Sequence, residues 1–148
     1  MRAIDPDSDP ELSYWEDCMG TRVDGPRRPD EEWFGQHRWV WSRSRLRAVL
    51  GDQVGVVFVC GIARNQDQLL DLFEQMFLLR IDAQTQEARL AADDALHPPG
   101  RSEAGRQEIR DGRQRFEEQM LRLGAIALDG TAPTAVITDR LLTLVAAG

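Results

Sequence analysis

Val54-Gly55-Val56-Val57-Phe58-Val59-Cys60-Gly61 is an unbroken, β-branched run that closes on glycine. A strand with one wet face alternates apolar and polar residues. This run does not alternate, which predicts a parallel strand buried on both faces. Met76-Phe77-Leu78-Leu79-Arg80-Ile81 and Ala125-Ile126-Ala127-Leu128-Asp129 read the same way, each leading into a turn or cap residue, and Arg2-Ala3-Ile4-Asp5 reads as a fourth, short strand. Helical spacing fills the intervals. Leu46, Val49 and Leu50 recur at i, i+3 and i+4, as do Leu69, Leu72 and Phe73, and both sets predict crossover helices.

Further along, Thr85 to Asp94 carries a helical stretch, and Leu96-His97-Pro98-Pro99-Gly100 must be a loop because paired prolines remove donors. Ser102-Glu103 then caps a long helix with an apolar stripe of Ile109, Phe116, Met120 and Leu123, stopped by Gly124. A last helix follows Pro133, with Val136, Ile137, Leu141, Leu144 and Val145 on its inner face. Strand and helix in alternation predict an α/β fold, a parallel sheet flanked by helices. The exception is Asp7 to Gln36, rich in Asp, Pro and Gly and longer than an ordinary connection, which reads as a functional loop or a small helical insert.

Composition narrows the function classes. The 148 residues make one domain, 42% hydrophobic and 29% charged, inside the globular range. The longest apolar run is far short of the roughly 20 residues of a membrane helix. The start has no apolar leader segment, so no signal peptide, no membrane partner and a cytoplasmic location are expected. Cys60, ending an apolar run, reads as a small buried hydrophobe rather than half of a disulfide with Cys18. Of the net charge of −7, residues 1–34 carry −6, from ten acids against four arginines. That face repels phosphate backbones, so nucleic acid is not expected as a partner. Arg38, Arg43, Arg45 and Arg47, with no acid between them, read as a solvated helix face, or alternatively as a contact for an anionic ligand.

The order of motifs carries a resemblance. Ala3-Ile4-Asp5-Pro6-Asp7, Trp33…Trp39-Val40-Trp41, Phe58-Val59-Cys60-Gly61-Ile62-Ala63-Arg64-Asn65-Gln66, Phe73-Glu74-Gln75-Met76-Phe77-Leu78-Leu79, Glu87-Ala88-Arg89-Leu90 and Gly124 to Pro133 follow one another. The series resembles P-loop nucleoside triphosphate hydrolases of the shikimate- and adenylate-kinase-like, AAA-annotated bacterial kind, from their second strand to their end. The resemblance implies one truncated kinase-like domain over residues 1–148, with an acceptor-side insert at about 7–50 and a lid-like loop at about 89–106. Members of that family carry, ahead of this point, a central first strand and a G-x-x-x-x-G-K-[ST] loop whose amides and lysine hold the phosphates. These residues include neither the loop nor any lysine. The chain is therefore expected to start at an internal methionine of a longer frame and to be inactive as it stands. The resemblance implies ATP and Mg2+ as cofactors and a nucleotide and a small-molecule acceptor as partners. The alternative is a non-catalytic binding or regulatory module derived from such a kinase.

Candidate site residues follow. Asp5 and Asp7 stand at a strand's carboxyl end, where open α/β sheets place ligands, and the resemblance makes them acceptor-binding. The plainer account is a turn or cap aspartate beside Pro6. Arg64, leaving the best strand, suits bidentate contact with an acidic acceptor, or pairs on the surface with Asp67. Asn65 and Gln66 read as helix caps. Arg89, with Arg101 and Arg106, resembles the lid arginines that act on the nucleotide phosphates, Arg89 catalytically. A plain surface arginine paired with Glu87 or Asp93 is the competing account, and Asp93 and Asp94 occupy the stretch where the family places a second arginine. Thr131, in Asp129-Gly130-Thr131-Ala132-Pro133, matches the loop beside the adenine, or marks a simple turn into a helix. The four tryptophans read as a small subdomain's core rather than a stacking platform. His37 and His97 have no partner at ligand spacing, and no metal site is expected.

Overall fold

A computed structural model describes residues 1–26, 29–92 and 102–147. The fold is mixed α/β, in two compact units: residues 1–73 with 102–106, and residues 74–92 with 107–147.

In the first unit, β1 (Arg2–Ile4) lies parallel to β5 (Val57–Val59), Ala3 opposite Phe58. The predicted strand at 54–61 is shorter than its apolar run. Gly55 takes φ +85, which breaks the extended path, and Val54 stands 99% exposed. A 3-10 turn at Pro6–Ser8 leaves β1, and the segment expected to be irregular or helical holds an antiparallel sheet instead. Its strands are β2 (Ser13–Asp17), β3 (Arg22–Val23) and β4 (His37–Trp41), in the order β3-β2-β4. The short helix α1 (Glu31–Gln36) precedes β4, capped by Asp30, whose Oδ1 accepts from Trp33 N at 2.9 Å.

Helix α2 (Arg43–Gly51) follows, capped by Ser42, and its Leu46 is wholly buried. Leu46 packs in one cluster with Ile4, Leu12, Trp41, Ala63 and Leu69. The predicted crossover helix at 69–73 is absent. Gln66–Gln68 and Leu70–Leu72 form two 3-10 turns without side-chain caps, and Phe73 is extended, so the period of Leu69, Leu72 and Phe73 marks turns rather than a helix.

In the second unit, β6 (Phe77–Arg80) lies parallel to β7 (Ile126–Asp129), Leu78 opposite Ala127. Helices α3 (Ala83–Ala92), α4 (Glu103–Arg122, which belongs to this unit from Gln107) and α5 (Thr134–Ala147) stand near their predicted places. Ser102 Oγ accepts from Gly105 N at 3.1 Å, the predicted cap of α4. Leu78, Met120 and Ala125 form the buried cluster, with Met76 and Phe116 against it. The expected inner face of α5 is not buried, and Val136 is 56% exposed.

The expectation of one parallel sheet needs correcting. Among the described residues the parallel strands pair as β1 with β5 in the first unit and β6 with β7 in the second. Alternation of strand and helix fixes strand direction but not which strands become neighbours.

Candidate functional site

The first unit gathers three of the predicted site residues at the carboxyl ends of β1 and β5. Asp5 performs the plainer role set out for it. Its Oδ1 accepts from Asp7 N at 3.1 Å and its Oδ2 from Ser8 Oγ at 2.6 Å, closing the turn that Pro6 begins. Asp7 is turned inward. Its Oδ1 accepts from two indoles at once, Trp39 Nε1 at 2.8 Å and Trp41 Nε1 at 2.9 Å. Arg64 is exposed, and its backbone N donates to Trp39 O at 2.9 Å.

Asn65 does not cap a helix. Its Oδ1 accepts from Trp41 N at 3.0 Å while its Nδ2 donates to Trp41 O at 2.9 Å, so one buried amide satisfies both backbone groups of a buried tryptophan. Gly61 closes the arrangement. With φ +148, a β-carbon there would stand 2.8 Å from Trp41 Cζ2 and 3.3 Å from Asp7 Oδ2. Trp41 therefore lies over the end of β5. Behind it, Trp15 meets Trp33, Phe34 and Trp39 edge-on at 5.3 to 5.9 Å, so the tryptophans serve as core.

Cys60 sits at the same end, its N donating to Ile4 O at 2.9 Å. It is exposed by area, not the buried hydrophobe expected. Partial enclosure pushes its thiol above the usual 9.0, and the Asp5 carboxylate adds to the shift. In a Cys18→Ser background, Asp5→Asn should therefore speed iodoacetamide alkylation of Cys60 at pH 8. An unchanged rate would remove Asp5 from the thiol's surroundings.

The basic stretch is committed to acids. Arg38 pairs with Glu16 at 2.5 Å, Arg43 with Asp71 at 2.6 Å, and Arg45 with Glu11 at 2.6 Å.

In the second unit, Arg89 and Thr131 come to the carboxyl ends of β6 and β7. Arg89 donates to Gly130 O at 2.8 Å, while Glu87, its proposed surface partner, pairs with Arg110 at 2.7 Å. Gly130 is fixed further by its N, which donates to Arg80 O at 2.8 Å, and a β-carbon on it would stand 3.0 Å from that oxygen. Thr131 folds onto Asp129, its N at 2.9 Å and its Oγ1 at 2.6 Å from Asp129 Oδ1. Asp93, Arg101 and the rest of residues 93–101, the middle of the lid-like loop expected at about 89–106, lie outside the described residues.

These bonds set charge states. The Thr131 hydroxyl and amide hold Asp129 below the ordinary 3.8, outweighing desolvation and the like charge of Asp82, which push the other way. Asp82 Oδ1 accepts from Thr85 N at 2.6 Å, capping α3, and this bond holds Asp82 below 3.8 in the same way. Both groups bind protons more weakly folded than unfolded. Their contribution is complete above 3.8 and is lost as pH falls through the folded values. The thermal midpoint should fall as pH is lowered below 3.8, and fall less in an Asp82→Asn, Asp129→Asn double variant, as followed by circular dichroism.

Among the described residues no group of three His, Cys, Asp or Glu side chains is placed to hold a metal ion. His37 instead stacks on Trp33 at 3.7 Å. The sequence has no lysine and no G-x-x-x-x-G-K-[ST] loop, so these residues do not supply the phosphate contacts such a loop makes. No described helix is long and apolar enough to cross a membrane. Comparison with protein-family models, with curated proteins and with solved structures finds no match.

Proposed function

We propose that these residues form the acceptor side and the base side of a small-molecule phosphotransferase of the P-loop kinase kind, one that does not turn over without a phosphate-binding loop. The strand pairing carries this reading. In that family the sheet order is 2-3-1-4-5, so strands two and three are neighbours, four and five are neighbours, and strand one separates the pairs. Taking β1, β5, β6 and β7 as strands two to five, the order calls for parallel β1–β5 and β6–β7. Those are the pairings found. Asp5, Asp7 and Arg64 then belong to the acceptor end, and Arg89 and Thr131 to the nucleotide end, each at the carboxyl end of its parallel pair, where open sheets place ligands.

A second reading, a binding or regulatory module without catalysis, is favoured by how fully Asp7 and Arg89 are engaged internally. One experiment separates the two. The 148 residues alone should bind no Mg·ATP by calorimetry, and a form extended ahead of Met1 by its own reading frame should bind it and release ADP as the γ-phosphoryl group passes to a hydroxyl acceptor or to water. An extended form that carries a lysine-bearing loop yet binds no ATP favours the module. A frame that encodes no such loop defeats the kinase reading.

A further inference from the structure

The carboxyl end of the β1–β5 pair contains one arrangement that neither a turn nor a ligand contact explains. A single oxygen, Asp7 Oδ1, takes both indole protons of Trp39 and Trp41, side chains 32 and 34 positions away in sequence. Those two tryptophans are alternate residues of β4, so they lie on one face of the strand. Asn65 grips the backbone of the second, and Arg64 N holds the carbonyl of the first. The missing side chain at Gly61 leaves the space that the Trp41 ring occupies. Three segments, after β1, along β4 and after β5, therefore meet at one carboxylate.

We propose that Asp7 is a positioning residue: it straps Trp39 and Trp41 of the insert across the ends of β1 and β5 and so fixes the insert at the acceptor end, and it is not itself the group that meets the acceptor. The idea rests on the function proposed above for the word acceptor only. The strap is a property of this chain and is tested on it without nucleotide.

An aspartate that meets a ligand needs its charge, whereas a strap needs an oxygen in place. Asparagine keeps that oxygen and alanine does not. The chain contains four tryptophans, so an amide spectrum of the labelled protein holds four indole signals, and Trp39→Phe and Trp41→Phe assign two of them. In Asp7→Ala those two indole protons should exchange with solvent at least about tenfold faster than in the parent, and in Asp7→Asn within about threefold of it. Alkylation of Cys60 by iodoacetamide, a small neutral probe of the same end, should quicken in Asp7→Ala and not in Asp7→Asn, in the Cys18→Ser background.

Unchanged indole protection in Asp7→Ala overturns the strap. Equal quickening of alkylation in both variants shows an effect of charge rather than of opening and overturns it too. If Asp7→Ala does not fold, Asp7→Asn decides alone: protected indoles support the strap and exposed ones reject it. None of these outcomes depends on ATP, so the strap and the phosphotransferase reading fail separately.

Discussion

Asn65→Ala should destabilise the first unit by about 2–5 kcal/mol, because it strands both the N–H and the C=O of buried Trp41 and removes packed atoms as well. An unsatisfied buried backbone group costs about 1–3 kcal/mol, and the side chain serves two. Urea denaturation followed by tryptophan fluorescence measures the loss. Asn65→Asp sets a buried carboxylate oxygen against Trp41 O, so at pH 7 it should cost at least as much as Asn65→Ala, and the loss should shrink at low pH, where the protonated carboxyl can donate to Trp41 O. A loss below about 1 kcal/mol in Asn65→Ala would mean that water replaces the amide and that the site is wetter than its burial implies.

Gly61→Ala should be the most costly glycine substitution at a positive φ. Its φ of +148 disfavours any side chain, and the new methyl would also meet Trp41 Cζ2 at 2.8 Å, a ring held in place by two polar partners. The expected loss is about 2–4 kcal/mol. Gly55→Ala is the control. Its φ of +85 carries similar backbone strain, but nothing lies within 4 Å of the added carbon, so only about 1–2 kcal/mol should be lost. Equal losses at the two positions, measured by the same denaturation, would show that Trp41 moves aside freely.

The parts of this fold legible in the sequence are those that depend on neighbours in the chain. Val57–Val59 and Phe77–Arg80 are strands because apolar residues follow one another there, and α4 is a helix because Phe116, Met120 and Leu123 recur at its period. What depended on distant partners was not legible. Ser13–Asp17 is only five residues long and is flanked by Pro and Gly, so its membership of a sheet shows only when His37–Trp41 pairs with it. Leu69 to Phe73 has helical spacing without capping residues, and the shorter turn wins. At the site, type and place were readable and role was not. The sequence marks Asp5 and Asp7 alike, yet two indoles more than thirty residues away decide that one closes a turn and the other reaches inward. Asn65 gave one available signal, a polar residue in the loop that follows the apolar strand Val57–Val59, in a chain rich in tryptophan.

The two parallel pairs also bear on how the protein fares outside the test tube. In the second unit the buried cluster is small, Leu79 is half exposed within its own strand, and α5 contributes no buried side chain. So thin an interior leaves little to hold this half closed, and its amides should exchange freely while those around Leu46 stay protected. In a cell, greasy open surface of this kind is what chaperones grip and proteases cut. The lifetime of the polypeptide should thus be set by its back half, with nicks falling after Phe73 well before the tryptophan-rich front is lost.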